Sequence, residues 1–456
     1  MRRTLLGVVA ATMIASGGVL AGVSAAGAEP NDAYIVVFRD QVNAHAKTVA
    51  VERQYGISSS RNFTHAIRGF SARVPEAVRA RLLNDPDVLF VTPDRSVTAH
   101  VDGPPLATGE LVPTGVERIQ AASSTAVSHP SDVAVAVIDS GVDLQNPDLN
   151  AVAGTDCTTQ GGTTQDVNGH GTHVAGIIGA RNSGTDTVGV APGTRMYSVK
   201  VLDSQGFGTL SQLICGIDWM TANAEALGIK VANISLGTTG SNDNNCGRSN
   251  SDALHLAICR STERGITYVA SAGNDAVSIA GAIPAAYPEV LTVTAMADSD
   301  GQPGGGGGAP SCRVGEKDDA AVTFSNYARN AAAIAHTIAA PGMCIRSAKI
   351  GGGTAVLSGT SMAAPHVTGA VALCLGAGGQ NGACTGLTPA QIIQKMREHA
   401  AAQPASYGFT GDPRNSPGTN YYGYLVHPHV TPGPVNPPPP DPEPEPCRPT
   451  GSFGTC

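Results

Sequence analysis

Three short segments of the chain carry a carboxylate, an imidazole and a hydroxyl at places where a fold makes such groups reactive. In residues 133–142 (VAVAVIDSGV), Asp139 ends an apolar run and is followed by Ser140-Gly141. A carboxylate fixed by backbone at such a turn suits the orienting of an imidazole. In NGHGTHVAGIIGA, His170 sits between two glycines at the start of an apolar helix, where little bulk limits access to its ring. In LSGTSMAAPHVTGAVALCL, Ser361 opens a hydrophobic helix after Gly359-Thr360, so its hydroxyl and N–H face the positive end of the helix dipole. Taken singly, each has a plain structural reading: a turn-capping Asp, a packed His, an N-cap Ser. His170 and His173 lack the intervening Glu of the H-E-x-x-H zinc pattern, so His173 is expected to be packed or bonded within its helix. Pro365 is compatible with the helix after Ser361 only in its first turn. Ala363 also separates this segment from the G-x-S-x-G elbow. Taken together, the three supply a nucleophile, a general base and a group that orients the base.

Positions 139, 170 and 361 need a scaffold that brings them together. From Ser131 to about Leu375, apolar segments alternate with helix-like ones. Strands are expected at 133–138, 196–201, 231–234, 266–270 and 291–294, near-continuously apolar as strands covered on both faces must be. Helices are expected at 170–179, 210–227, 252–264 and 361–375. The pattern predicts an α/β domain with a mainly parallel sheet, in which chemistry gathers beyond the carboxyl ends of the strands. Residues 29–100 read as a separate small module. Strands at 34–38, 62–67, 70–74 and 88–91, with helices at 42–51 and 75–83, give the order βαββαβ.

Composition bounds the remaining choices. The chain has 456 residues, with 56 Gly, 31 Pro, 14% charged, 4% aromatic and 41% apolar residues, and a formal net charge of -8. Coiled-coil, collagen and largely disordered classes are excluded. With only 28 Lys+Arg, nucleic acid is a poor partner. Arg2 and Arg3 precede an uncharged run, 4–28, that ends in Ala26-Gly27-Ala28, the pattern of a secretory signal cut after Ala28. The run is long enough to span a bilayer, so a retained anchor stays open as the alternative. All 10 cysteines lie beyond residue 156, and their even number suits disulfides in an exported chain. Closure between sequence neighbours suggests Cys312 with Cys344, Cys374 with Cys384, and Cys447 with Cys456. Residues 304–308 form a glycine run inside a polar loop, 298–320, too flexible to be a strand. After Leu425 the sequence HPHVTPGPVNPPPPDPEPEP reads as an extended spacer leading to a short cap between Cys447 and Cys456.

YIVVFRD, IRGFSARVPE and DPDVLFVTPDR resemble the inhibitory propeptide of subtilisin-like serine proteases. VIDSGV, HGTHVAG and GTSMAAPHVTGA resemble that family's active-site signatures, in the same Asp, His, Ser chain order. The resemblance runs from about residue 33 to 375. Between the signal peptide (1–28) and the Pro-rich tail (426–456), it implies a ferredoxin-like βαββαβ propeptide (29–100) and a three-layer subtilisin-like α/β domain (101–425). It implies a secreted serine endopeptidase, made as a zymogen that cuts itself near His100, within 98–106. Ser361 is then the nucleophile, His170 the base and Asp139 its partner, and Asn274 of VASAGND joins the Ser361 N–H in an oxyanion hole. Ser235-Leu236-Gly237 and Gly206-Phe207-Gly208 correspond to two edges that pair with extended substrate. Ser271 and Gly273 correspond to the pocket for the residue before the cut, their small size leaving room for a large or apolar side chain. Asp148 matches a family calcium ligand and 181–188 its calcium loop, although Ser183 stands where the family has Asn. No cofactor is implied for the chemistry, and the partners implied are protein or peptide substrates and the propeptide as inhibitor. A monomer without stable membrane association is expected. A noncatalytic binding protein of this fold, or an esterase or acyltransferase using the same triad, remains open on sequence alone.

Overall fold

Successive residues of the first strand face different apolar surroundings, and that alternation explains how the N-terminal module is held. The computed structural model describes residues 33–94, 96–99, 112–123, 127–416 and 418–430. The module runs β1 (Ala33–Phe38), α1 (Ala44–Tyr55), β2 (Ser59–Phe63), β3 (Gly69–Arg73), α2 (Glu76–Leu82) and β4 (Val88–Pro93), the expected βαββαβ order. Its antiparallel sheet is ordered β2-β3-β1-β4. Val36, Phe38, Phe70 and Val74 pack with Val51 of α1 and Leu82 of α2. Ile35, Val37, Phe63 and Phe90 point the other way, into a core that includes Leu213, Ile214 and Ile217 of the large domain. Period-two side-chain alternation thus gives the small sheet one face covered by its own helices and one covered by its neighbour.

The second strand lies at 59–63, where 62–67 was expected, and ends at Phe63. The N–H groups of Thr64, His65 and Ala66 donate instead to the Asp218 carboxylate, at 3.2, 2.6 and 2.7 Å. A buried carboxylate takes the donors that strand pairing would have used. A further strand, β5 (Ser96–Ala99), follows the module.

The large domain continues with α3 (Thr114–Arg118), β6 (Ala134–Asp139), β7 (Ala151–Asp156), α4 (His170–Gly179), β8 (Met196–Lys200), β9 (Phe207–Thr209) and α5 (Leu210–Leu227). Then come β10 (Ile229–Ile234), β11 (Leu236–Thr239), α6 (Ala253–Thr262), β12 (Thr267–Ser271), β13 (Ala282–Ile283), β14 (Val290–Ala297) and β15 (Ala320–Ala321). It closes with α7 (Ala331–Ile334), β16 (Thr337–Pro341), β17 (Ile345–Ala348), β18 (Thr354–Leu357), α8 (Thr360–Leu375) and α9 (Pro389–Ala402). The main sheet is ordered β15-β14-β12-β10-β6-β8-β7, with β16 also on β14. Apart from β15, its strands pair in parallel.

Two cores flank this sheet. Val135, Val137, Val231, Val269 and Val293 meet α4 and α8 on one face. Ala136, Ile138, Ala232, Ile234, Tyr268 and Ala270 meet α5 and α6 on the other. Both faces are therefore apolar, and β6 is buried along its whole length. β7, β16 and α9 were not anticipated. β7 is a partly exposed edge strand of small residues, and Thr337–Pro341 carries too many alanines to read as a strand. α9 begins with a capping box at Thr388 and a Pro in its first turn, a start signal that was present in the sequence.

Cys312–Cys344 and Cys374–Cys384 are bonded as expected, and Cys157–Cys215 and Cys246–Cys259 complete the described disulfides. Cys447 and Cys456, the 1–28 segment and the cut near His100 lie outside the described residues. The glycine loop forms no strand, but Asp318 and Asp319 accept N–H bonds from Gly307 and Gly304, which pins it. The spacer expected from residue 426 starts later. Val426 is fully buried, its N–H donates to the Ala339 carbonyl at 2.9 Å, and its own carbonyl accepts the Tyr407 hydroxyl at 2.7 Å. Among the described residues, no helix is long and apolar enough to cross a membrane.

Asp218→Ala should loosen the N-terminal module. Hydrogen bonds to a charged acceptor contribute roughly 1.5–3 kcal/mol, so faster hydrogen exchange across residues 33–94 of the intact chain is the expected readout.

Candidate active site

The carboxyl ends of β6, β10 and β12 meet the N-termini of α4 and α8, and the expected chemical residues lie there. Asp139 is the last residue of β6, and the turn beyond it uses Gly141 at φ 104°, backbone that favours glycine. α4 then packs onto that turn through Gly171. A Cβ at Gly171 would lie 2.0 Å from the Gly141 carbonyl and 3.2 Å from Asp139 Oδ1. This close approach brings His170 Nδ1 to 2.7 Å from Asp139 Oδ1, with both side chains buried. The carboxylate fixes the hydrogen on Nδ1 and the lone pair on Nε2. Nε2 is buried and has no hydrogen-bond partner, so the basic nitrogen is available.

Asp166, which the sequence reading did not single out, anchors this arrangement. Its Oδ1 accepts the Ser140 hydroxyl at 3.0 Å and the Gly169 N–H at 3.0 Å, and its Oδ2 accepts the Thr172 N–H and hydroxyl at 3.0 and 2.6 Å. The Ser140 oxygen in turn accepts the Gly171 N–H at 3.0 Å. A carboxylate four residues before the helix, in QDVNGHG, was the available signal. His173 is bonded, but outside its own helix. Its Nε2 faces the carbonyls of Ile345 and Ala355 at 3.1 and 3.2 Å, and burial pushes its pKa down to about 3.

Ser361 is the second residue of α8, so Pro365 falls in the second turn and not the first. A proline there has no N–H for the carbonyl four residues earlier, that of Ser361. The Ser235 hydroxyl fills the gap, donating to the Ser361 carbonyl at 2.9 Å. Reciprocally, Ser361 Oγ donates to the Ser235 carbonyl at 2.9 Å, which leaves its hydroxyl resting on Ser235 and not on His170. Asn233 Nδ2 donates to Ser235 Oγ at 2.9 Å, and Thr368 Oγ1 donates to Asn233 Oδ1 at 2.8 Å. Asn274 is tied to the same helix end. Its Oδ1 accepts the Thr360 N–H at 3.0 Å and the Thr360 hydroxyl at 2.9 Å, so its amide nitrogen remains the free donor.

The two expected substrate edges are occupied by the chain's own β5. Leu236 and Gly237 of β11 pair antiparallel with Ala99 and Thr98. On the other side, Thr209, Gly208 and Phe207 of β9 pair with Ser96, Val97 and Thr98. Gly206 lies in the turn before β9, its N–H on the Asp203 carbonyl, and makes no ladder pair. Ser271 is buried at the end of β12, and the Gly273 N–H donates to the Thr360 hydroxyl at 3.1 Å.

Asp148 is buried, its Oδ1 accepts the Ser183 hydroxyl at 2.9 Å, and its Oδ2 has no hydrogen-bond partner. Burial, with Asp186 nearby, raises its pKa. The Thr185 carbonyl lies 3.3 Å from Ser183 Oγ. An orphaned carboxylate oxygen beside such hard oxygens fits calcium.

The profile of the Subtilase family matches residues 130–421, and that of Peptidase inhibitor I9 matches residues 33–100. Subtilisin NAT of Bacillus subtilis subsp. natto is 33% identical over 349 residues, covering 75% of this chain and 80% of that protein. The Alkaline protease of Shouchella clausii is 32% identical over 389 residues, covering 82% and 89%. The Extracellular serine proteinase of Thermus sp. (strain Rt41A) is 35% identical over 323 residues, covering 69% and 67%. A crystal structure of a cold adapted subtilisin-like serine proteinase superposes with a TM-score of 0.51 at 29% identity, over 69% of this chain and 98% of that one.

Ser235→Ala should strand the Ser361 carbonyl in a buried site, at a cost of about 1–3 kcal/mol. Pro365→Ala restores the missing N–H, so the double variant should lose less than Ser235→Ala alone in urea unfolding.

Proposed function

The chain belongs to the subtilase family and is a serine endopeptidase preceded by an I9-type inhibitory propeptide; we propose that it is a secreted, self-processing zymogen whose catalytic residues are Asp139, His170 and Ser361. The observation that carries this reading is the Asp139–His170 hydrogen bond of 2.7 Å, which leaves a basic imidazole nitrogen beyond the sheet's carboxyl ends. In the proposed reaction the Ser361 hydroxyl leaves the Ser235 carbonyl, gives its proton to His170 Nε2 and attacks the scissile carbonyl carbon. His170 then protonates the leaving amine, and the acyl-enzyme is hydrolysed by water activated in the same way. Asp139 keeps the tautomer and stabilises the imidazolium.

Asn274 and the Ser361 N–H are the proposed oxyanion donors. The bonds from Thr360 to Asn274 Oδ1 support this, because they hold the amide and leave Nδ2 to donate. Substrate is proposed to bind as β5 does, between Ser235-Leu236-Gly237 and the Gly206–Gly208 edge, with Ser271 and Gly273 bordering the pocket for the residue before the cut. β5 runs from Thr98 opposite Gly237 to Ala99 opposite Leu236. The next step along that direction leads toward Ser235, which supports self-cleavage near His100. The proposed secretion signal is residues 1–28. The proposed boundaries are 29–100 for the propeptide and 101–425 for the catalytic domain, with folded structure reaching Val430, and the product is a monomer without stable membrane association. A structural calcium ion would be held by Asp148 and the oxygens of Ser183 and Thr185, bracing the 181–188 loop and neutralising a buried carboxylate.

The precursor and its Ser361→Ala variant test this reading together. The parent chain is expected to lose its N-terminal module, hydrolyse casein and take a fluorophosphonate label, whereas the variant stays full length, unlabelled and inactive. A folded parent that remains intact, unlabelled and inert points to a binding role, and ester cleavage without casein hydrolysis points to an esterase. In subtilisin, loss of an oxyanion-hole Asn costs about 10²–10³ in kcat; Asn274→Leu should fall in that range with KM little changed. Calcium at a hundredfold excess over its Kd should add about 2.7 kcal/mol of stability, read as a higher Tm than in chelator, and Asp148→Asn should abolish the difference.

A further inference from the structure

Beyond the triad residues in the chain, three histidines meet where the last helix ends and the Pro-rich segment begins. His399 lies in the last turn of α9, and His427 and His429 flank Pro428. His399 Nε2 and His427 Nδ1 face each other at 3.3 Å, with ring centres 5.3 Å apart. The His429 ring stands 5.8 Å from that of His427, and its Nε2 is 3.1 Å from the Gln120 carbonyl.

The outer partners decide where the hydrogens lie. His427 Nε2 faces Gln120 Oε1 at 3.2 Å, so it carries the hydrogen and leaves a lone pair on Nδ1. Gln403 Nε2 donates to His399 Nε2 at 3.2 Å, so that nitrogen also presents a lone pair. Two lone pairs aimed at each other repel unless a proton or a Lewis acid sits between them. Burial, joined by the charge of Lys395, lowers the pKa of His399. Burial and the neighbouring histidines push that of His427 down to about 4.

The distance points to a metal. Two nitrogens each about 2.0–2.1 Å from a tetrahedral centre lie about 3.3 Å apart. Imidazole nitrogens select zinc, copper or nickel over calcium and magnesium. The carboxyl end of α9 adds the negative pole of the helix, which favours a cation.

We propose that His399 Nε2 and His427 Nδ1 bind a divalent transition metal of the zinc class. Solvent completes the coordination, the ion taking the place of the hydrogen bond from Gln403 Nε2 to His399 Nε2. Gln120 plays the outer-shell part that fixes the tautomer of a ligating His. The ion bridges α9 and residues 425–430, fastening the root of the Pro-rich segment to the catalytic body, and the Lys395 charge opposes its affinity.

The test uses the full chain carrying Ser361→Ala, so that it is not cut. Cobalt(II) chloride is titrated for its visible absorption bands and zinc chloride by calorimetry and Tm, with calcium chloride as the comparison. Saturable zinc binding that raises Tm is expected, calcium not competing. His399→Ala and His427→Ala should each weaken zinc binding by at least about tenfold, while His45→Ala in α1 leaves it unchanged. Should either variant unfold, peptide-mapped diethyl pyrocarbonate modification of the parent decides, with zinc expected to protect His399 and His427. Absence of saturable zinc binding, parental affinity in both variants, or protection confined to other histidines such as His170 overturns the proposal.

Discussion

Asp139 is removed from solvent, and a carboxylate in that position is tolerable only when its charge is met by fixed donors. His170 Nδ1–H and the Ser140 N–H meet it, each at 2.7 Å. Much of the surrounding structure serves that pairing. Gly171 lets α4 press against the turn after β6, Gly141 supplies the backbone conformation of that turn, and Asp166 gathers the donors at the start of α4. The orientation of the imidazole is thus a product of backbone packing, with no need for a flexible side chain to find it.

The same economy governs the other helix. Pro365 breaks the hydrogen-bond ladder of α8 one turn beyond Ser361, and the break makes the Ser361 carbonyl a docking point for Ser235. The helix end is thereby bound to the carboxyl end of β10, while Thr360 binds it to Asn274 after β12. Three strand ends and two helix ends converge because each is joined to the next by one or two buried hydrogen bonds.

The N-terminal module shows why an inhibitor of this size stays with its enzyme. One face of its sheet has no cover of its own and completes its burial against α5, next to the Asp218 carboxylate. A module of about seventy residues buries too little by itself to be very stable, and its strand β5 adds ladder bonds on both sides of the cleft. Affinity comes from area and main-chain pairing, which make small demands on side-chain identity.

The central strands at 133–138, 196–201 and 231–234, the helices at 170–179 and 210–227, and the residues Asp139, His170, Asn274 and Ser361 were all legible in the sequence. The strands sit in continuous apolar runs, whereas the four residues stood out through the joint occurrence of their motifs and the family resemblance. β7 and β16 were not legible, since short runs of Ala, Gly and Thr become strands only when a neighbouring strand offers them a ladder. Asp166, Asp218 and the Ser235 hydroxyl were missed for a related reason. Each acts on a backbone group supplied by another segment, and a partner 126 positions away, as for Ser235 and Ser361, leaves no local trace. By itself the sequence determined which residues are proposed for the chemistry and where the central elements form, because those depend on side-chain type and on periods of two and 3.6 residues. Only the tertiary structure decided what holds them in register, that β5 lies in the cleft, and that His399 faces His427, because those are distances between segments that local pattern does not encode.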